Sequence, residues 1–199
     1  AHDAKGCMTS AIRDDNPVIF VEHRLLYNTE AVVPPEQFEI PFGQARIRKT
    51  GQDITVVGIS NMVPECLRAA ELLAEIGISV EVIDPISLVP LDIDTIIDST
   101  KQTGSLLVVD TAWTMCGASA EILAAVAENQ ESGKNIKYAR MGFAATTCPT
   151  TPSLEKVFYP NPVTIAEKIY QIVRPNGPRW SPDPAKAELA HQIQFRGPF

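Results

Sequence analysis

The stretch DITVVGISNMVPECLRAAELLAEIGISVEVIDPISLVPLD, residues 53–92, changes its hydrophobic period from strand to helix and back to strand. Its first part, 54–59, is a β-branched run without helical spacing, which is typical of a parallel strand covered on both faces. Residues 63–76 carry apolar side chains at every third or fourth position opposite charged ones, which predicts an amphipathic helix. Residues 80–84 are the next strand. The stretch is therefore one βαβ unit, and we expect its first strand to be central.

Local signals define the ends of the predicted helix. Asn61 stands where an N-cap belongs, and Pro64 falls in the first turn, where its missing N–H is not needed. Gly77 supplies the stop.

The rest of the chain repeats this pattern. We predict helices over 93–103, 118–131 and 164–173, and strands over 106–110 and 136–141. Leu91-Asp92 opens the first of these helices and Gly104 closes it. Because parallel strands need helical crossovers, the fold class is α/β: a three-layer, open, mostly parallel sheet with helices on both faces.

Composition limits the classes of protein to which the chain belongs. With 199 residues, 45% of them hydrophobic, it can bury one substantial core, which suits one domain of roughly 130 residues with flanking arms. A net charge of −7 and the lack of a basic stripe argue against a nucleic-acid partner. The one basic cluster, 46–49, is interpreted as an exposed hairpin arm. No apolar run is long enough to span a bilayer, so we expect no membrane partner.

Four cysteines lie far apart, with neither CxxC nor metal-ligand spacing: Cys7, Cys66, Cys116 and Cys148. This predicts a reduced, intracellular protein. We expect it in the cytoplasm, or in the mitochondrial or plastid matrix of a eukaryote.

The flanks have a different character from the α/β region. Residues 1–12 have helical spacing from the first position, so something is expected to precede them, and 18–22 (VIFVE) is predicted to be a buried strand belonging to a neighbouring domain. Residues 28–41 contain Pro34-Pro35 and Pro41 and form the natural linker. The proline-rich tail, 175–199, is expected to wrap a neighbour or to be mobile, apart from a short helix over 185–194.

The α/β region has few residues suited to catalysis. His2, His23 and His191 lie outside it, and no Gly-x-Ser-x-Gly elbow or Gly-rich phosphate loop follows any strand. Ser60 and Asn61 could bind an anion at a helix N-terminus, although a helix cap is the preferred interpretation.

Three carboxylates and one thiol lie near element ends, where α/β proteins bind ligands. For Asp84, Asp92 and Asp110 we prefer capping and turn formation. Cys116 is interpreted either as a thiol with a depressed pKa or as a small buried side chain. The segment 141–152, MGFAATTCPTTP, indicates packing or an interface rather than a catalytic loop.

Several segments, in their order and spacing, resemble a known family: 16–22 (NPVIFVE), 25–27, 41–45 (PFGQA), the βαβ unit with 88–92 (LVPLD), and 117–122 (GASAEI). The resemblance is to the beta subunit of thiamine-diphosphate-dependent 2-oxo acid dehydrogenases, of the pyruvate and branched-chain type, in the transketolase superfamily. It implies that 1–27 end a pyrimidine-binding domain, 28–41 are the linker, 42–174 are a transketolase C-terminal-like domain, and 175–199 are the tail.

In that family the activating glutamate and the active-site histidine lie in the part of the pyrimidine-binding domain that these residues lack. The resemblance therefore implies no catalytic and no cofactor-binding residue here, and thiamine diphosphate with Mg would be held by the complete enzyme. This chain alone is expected to be inactive. Its role would be assembly: with an alpha subunit and a second beta subunit in a heterotetramer, and with the acyltransferase core that accepts the acyl group on lipoyl.

The resemblance also implies a structural potassium ion at Ala11, Asp14 and Asn16, just after the first helix. Unpaired carbonyl groups at a helix C-terminus suit a hard cation, but a simple Asp/Asn-Pro turn is an equal alternative. The chain departs from the family pattern at Ser119, at 144–147 and in its tail. The alternatives are a non-catalytic stand-alone scaffold or regulatory module, and a fragment of another transketolase-superfamily enzyme.

Overall fold

A computed structural model describes residues 1–27, 29–129 and 135–192. Its central feature is one five-stranded sheet. Its strands are β1 (Arg46–Lys49), β2 (Ile54–Gly58), β3 (Val80–Asp84), β4 (Ser105–Val109) and β5 (Lys137–Met141). The helices are α1 (His2–Arg13), α2 (Met62–Ala74), α3 (Ile93–Thr103), α4 (Ala118–Glu128), α5 (Pro152–Phe158), α6 (Pro162–Val173) and α7 (Pro184–Gln192), with a 3-10 turn at Arg24–Leu26.

The strand order is β1-β3-β2-β4-β5, so β2 is central as predicted. Four strands run parallel: Val56 of β2 pairs with Val82 of β3 on one side and with Leu107 of β4 on the other. All five residues of β2 and of β4 are buried, as expected for strands covered on both faces.

Two hydrophobic clusters lie on the two faces of the sheet. On one face, side chains of β2, β3 and β4 pack against α2 and α6; Leu107 and Ile169 belong to this cluster and are fully buried. On the other face, Val57, Leu106 and Val108 pack with residues of α3 and α4. The predicted three-layer, mostly parallel α/β architecture is confirmed.

Helix ends follow the sequence signals in most places. Asp92 caps α3, since its carboxylate accepts from the backbone N–H of Thr95 at 3.1 Å. Gly77 and Gly104 adopt φ of 73° and 71° after α2 and α3, a conformation that glycine adopts without steric cost. Asn61 occupies the N-cap position of α2, but it makes no side-chain capping hydrogen bond.

The basic cluster 46–49 is not a hairpin arm. It is β1, the antiparallel edge strand paired with β3, with a register shift between Ile47 and Lys49. The segment is extended and partly exposed as predicted, but its partner is β3 rather than the strand that follows it in the chain, and exposed edge strands commonly carry charged side chains.

Residues 18–22, predicted to be a buried strand of a neighbouring domain, form no strand with the described part of this chain. The segment has no strand structure, and Ile19 and Val21 are 90% and 84% exposed. A strand needs a neighbour to satisfy its backbone groups, and the described residues place none beside it.

The first helix is held against the sheet edge. Asp3 of α1 forms ion pairs with Arg46, at 2.6 Å, and with Arg48, which also pairs with Asp84 of β3 at 2.6 Å. Burial raises the pKa of the Asp3 carboxyl, but hydrogen bonds from Arg48 and His2 and the arginine charges outweigh it, so the pKa is lowered overall. The network stabilises the position of α1 relative to β1 and β3.

The predicted linker also contacts α1. Nζ of Lys5 donates to the carbonyl groups of Pro34, Pro35 and Glu36 at 2.5, 3.2 and 2.7 Å. Ile40 is 4% exposed, and its backbone N–H donates to the carbonyl of Gly6 at 3.3 Å. Residues 29–41 are irregular, as predicted, and contact α1 through backbone and side-chain hydrogen bonds, while position 28 of the predicted linker lies outside the described residues.

Two differences lie toward the C-terminal part. Helix α5 follows the Thr- and Pro-rich turn and was not predicted. The short tail helix is confirmed as α7, while positions 193 and 194 of its predicted range, and 130 and 131 of the predicted helix 118–131, lie outside the described residues.

Candidate functional site

The candidate site lies at the carboxyl edge of the sheet. The chain passes from β2 to β3 on one side and then returns to β4 on the other, so strand order reverses between β2 and β4. Open α/β sheets bind ligands beside such a reversal. The segments that meet here are 59–61 and 110–117, and the backbone N–H of Ile59 donates to the carbonyl of Val109 at 3.0 Å.

Asp110 is a nearly buried carboxylate at this edge, with 7% of its surface exposed. It accepts from the backbone N–H of Thr111 at 2.7 Å, as in a turn. Burial raises the pKa of the Asp110 carboxyl, and the Thr111 hydrogen bond offsets part of that rise.

The other two candidate carboxylates are occupied structurally. Asp84 pairs with Arg48 and accepts from the backbone N–H of Ile86, and Asp92 accepts from Ala45 as well as from Thr95. Capping and turn formation are confirmed for both. For Ser60 and Asn61 we preferred a helix cap, but the Asn61 side chain makes no capping hydrogen bond. Anion binding there is untested and stays a prediction.

The cysteines separate into two pairs. Cys7 and Cys66 are buried, and burial raises the pKa of both thiols. Cys116 is exposed with φ of 57°, so its interpretation as a buried small side chain is wrong. Cys148 is exposed, and its Sγ lies 3.6 Å from the hydroxyl of Tyr159. Burial, followed by the contact with Cys148, raises the pKa of Tyr159 to about 12.

An aromatic cluster lies beside the crevice and gathers residues that are distant in sequence. Phe143 packs edge-on against Trp113, with ring centroids 4.8 Å apart, and stacks on Phe158 at 5.1 Å. Tyr159 meets Phe158 edge-on at 4.7 Å. The prediction that 141–152 serves packing is confirmed for Phe143.

Exposed apolar side chains border this cluster. Leu154 and Val157 of α5 are 56% and 74% exposed, and Met115 is 73% exposed. We call these three residues, together with Trp113, Phe143, Phe158 and Tyr159, the aromatic edge. Exposed apolar groups gathered in this way mark interaction surfaces. The spacing of Leu154, Val157 and Phe158 is helical and could have revealed α5, but the surrounding prolines obscured it.

The predicted cation site lies at the end of α1. Asp14 Oδ1 accepts from the backbone N–H of Asn16 at 2.8 Å and from its side-chain nitrogen at 3.0 Å, so the alternative turn is formed. These hydrogen bonds lower the pKa of the Asp14 carboxyl. Ala11 lies in the last turn of α1, where carbonyl groups lack an intrahelical partner. The donor set is therefore oxygen-rich, as a hard cation requires.

Neither a convergent metal cluster nor a membrane span emerges from the described ranges. No three His, Cys, Asp or Glu side chains there are grouped so that they could hold a metal ion. Likewise, none of the helices described is both long and apolar enough to cross a bilayer.

Comparison with known proteins gives a consistent result. Residues 43–165 match the family model described as "Transketolase, C-terminal domain". The chain is 39% identical over 165 residues to the acetoin:2,6-dichlorophenolindophenol oxidoreductase subunit beta of Cupriavidus necator, covering 83% of this chain and 49% of that protein. It is 36% identical over 178 residues to the mitochondrial pyruvate dehydrogenase E1 component subunit beta of Dictyostelium discoideum, covering 86% and 50%.

A bacterial relative and a solved structure extend this result. The pyruvate dehydrogenase E1 component subunit beta of Staphylococcus epidermidis is 39% identical over 168 residues, covering 84% of this chain and 51% of that protein. A structure titled "Split gene transketolase, inactive beta4 tetramer" shares the fold, with a TM-score of 0.61 at 22% identity over 71% of this chain and 46% of that one. The chain spans about half the length of the curated relatives it matches.

Proposed function

Because this chain belongs to the family of transketolase C-terminal domains, we propose that it is the assembly lobe of a beta subunit in the decarboxylase component of a 2-oxo acid dehydrogenase complex. The complete enzyme would oxidatively decarboxylate a 2-oxo acid with thiamine diphosphate and pass the acyl group to a lipoyl carrier. The relatives at 36–39% identity support this proposal, since their names are those of beta subunits of the pyruvate dehydrogenase E1 component and of an acetoin oxidoreductase. The predicted location is the cytoplasm or an organelle matrix.

The proposed division of the chain into four parts suits a role in assembly. We propose that 1–27 complete a pyrimidine-binding domain, that 28–41 are the linker, and that 42–174 are the C-terminal domain, followed by the tail from 175. The exposed segment 18–21 supports the first assignment: Val18, Ile19 and Val21 present apolar side chains that a strand inside a neighbouring sheet would bury.

The described residues do not fit a site for the cofactor. They provide no cluster of carboxylates for magnesium and place no histidine at the carboxyl edge of the sheet. We therefore assign thiamine diphosphate and Mg to other parts of the complete enzyme, and we route no chemical step through these residues.

The aromatic edge is the observation that carries the proposed role in assembly. Ring contacts join α5 to the loops after β4 and β5, and four apolar residues on α5 and the loop after β4 are exposed: Leu154, Val157, Trp113 and Met115. Interface cores are enriched in aromatic side chains and methionine. We propose that it contacts the alpha subunit or a second beta subunit, and that the acyltransferase core docks on the assembled enzyme.

The direct test is reconstitution of the complete beta subunit with its alpha subunit, thiamine diphosphate and Mg. We expect dye reduction that depends on a 2-oxo acid or an acyloin. Ketol transfer between sugar phosphates by the same preparation would favour another transketolase-superfamily enzyme. If the protein instead bound a partner without an alpha subunit and catalysed neither reaction, the result would favour a stand-alone scaffold or regulatory module.

The isolated chain is expected neither to bind thiamine diphosphate with micromolar affinity nor to decarboxylate pyruvate, because the residues that would hold the cofactor are not among those described. Isothermal titration calorimetry with thiamine diphosphate and Mg measures the binding. The complete beta subunit with its alpha subunit is the positive control. Micromolar binding by this chain alone would contradict the proposal.

Potassium is expected to raise the melting temperature of the chain relative to sodium at equal ionic strength, because we propose that Ala11, Asp14 and Asn16 supply oxygen ligands to it. Asp14→Ala should abolish the difference between the two salts. Asp15→Asn removes the neighbouring charge and is the matched control, which should retain it. Identical melting curves of the unmodified chain in both salts would contradict the potassium site. The Asp/Asn-Pro turn would then be the whole explanation of these residues.

A further inference from the structure

A cavity of about 350 Å³ lies between the end of α6 and the turn that leads into the tail. Its walls include Glu167, Tyr170 and Arg174 of α6 and its C-cap, and Arg179 and Trp180 of the tail. This volume falls within the range of small-molecule sites, about 300–1,000 Å³. The tail thus builds a concave site that neither the sheet nor the aromatic edge contributes to.

Aromatic rings provide one wall of the cavity. Tyr170 and Trp180 stack with centroids 5.3 Å apart and an interplanar angle of 23°. Tyr170 is 6% exposed, and Trp180 is partly buried against the hydrophobic cluster of α2 and α6, so the stack is firmly packed. Because its partners cover Tyr170, the aromatic surface open to a planar ligand ring is that of Trp180, which is only partly buried and lines the cavity.

Two guanidinium groups provide the charge. Arg174 lies over the Tyr170 ring, 5.8 Å from its centroid, and donates to the carbonyl of Ile76 at 3.0 Å, which fixes its position. Arg179 is exposed and makes neither an ion pair nor a hydrogen bond within the described part of the chain.

The carboxylate in the cavity does not cancel this charge. Glu167 accepts a hydrogen bond from the hydroxyl of Ser181 at 2.6 Å. The lining therefore contains two arginines and one carboxylate that is already hydrogen-bonded, on a chain whose net charge is −7. Arginine pairs phosphate and carboxylate groups with two parallel hydrogen bonds.

We propose that this cavity binds a small planar organic anion of the nucleoside phosphate class, its ring against Trp180 and its phosphate between Arg174 and Arg179. The site is separate from the proposed assembly role, because its lining residues come from α6 and the tail rather than from the aromatic edge. Binding would hold the tail against α6.

Isothermal titration calorimetry of the 199-residue chain with AMP tests this proposal. We expect saturable binding, weakened about tenfold or more in Arg179→Gln, since a hydrogen bond to a charged group contributes about that factor. Arg140→Gln, which changes an exposed arginine on β5, is the matched control and should leave the affinity unchanged. Circular dichroism of both variants checks that the fold is retained.

Further probes separate the parts of the ligand. Adenosine and inorganic phosphate should each bind at least tenfold more weakly than AMP if ring and anion act together. Benzoate binding that also depends on Arg179 would support the planar-anion class from another source. Binding of AMP no tighter than of phosphate, or equal loss in Arg179→Gln and Arg140→Gln, would overturn the proposal.

Discussion

Val157→Asp is expected to weaken assembly of the complete beta subunit with its partner chains by about a hundredfold. Val157 is 74% exposed on α5, in the aromatic edge. An interface there would bury the new carboxylate without a partner, at a cost of about 3 kcal/mol, and each 1.4 kcal/mol changes a dissociation constant about tenfold. Sedimentation velocity of the purified enzyme across a dilution series measures the change.

Val32→Asp is the matched control for this experiment. It introduces the same charge at a valine that is 93% exposed but lies in the segment between α1 and β1 and is not part of the aromatic edge. Neither substitution should lower the melting temperature of the isolated chain by much, because both side chains face solvent there. Unchanged assembly of the Val157→Asp enzyme would place the interface elsewhere.

Leu107→Ala is expected to lower the free energy of unfolding by about 3 kcal/mol. Leu107 is fully buried in β4 and belongs to the cluster that joins the sheet to α2 and α6. The substitution removes buried methyl groups and leaves a cavity that close-packed neighbours fill only in part. Denaturant unfolding of the isolated chain measures the loss as a lower midpoint with an unchanged slope.

Leu189→Ala on α7 makes the same chemical change at a leucine that is 58% exposed. We expect it to cost no more than about 0.5 kcal/mol, as is usual at surface positions. Equal losses in the two variants would mean that the sheet face near Leu107 is not the main core. A changed slope in Leu107→Ala would instead indicate that the transition is no longer two-state.

The α/β region was predictable because local and long-range signals agree there. Strand β3 and helix α3 were predicted with the bounds that the structure has, since β-branched runs and an Asp92 cap with a Gly104 stop coincide with the hydrophobic period. Periodicity also placed β2 at the centre, because a strand apolar on both faces must be covered on both.

The failures lie where the environment decides the structure. Residues 18–22 have the composition of a buried strand, but a strand exists only beside another one, and the described residues supply none. Charge at Arg46 and Arg48 pointed to solvent, whereas Asp3 and Asp84, which are distant in sequence, pair with these arginines at the sheet edge. No local pattern contains these partners.

The candidate sites were predictable to different degrees. The position of the turn at Asp14 and Asn16 was predicted from its sequence and is formed. The aromatic edge was only partly predictable, since Trp113, Phe143 and Phe158 are separated in sequence and meet through the order of the strands. The cavity at Arg179 was not predictable, because proline content indicated an irregular tail but not its place on α6.

The outermost strand has a consequence for solubility at high concentration. β1 is short, runs opposite to its neighbour, carries Arg46, Arg48 and Lys49, and loses register after Ile47. These features are the ones by which natural proteins prevent sheet-to-sheet polymerisation. The chain can therefore expose apolar side chains on α5 to specific partners. Its outermost strand, by contrast, is a poor template for fibril growth.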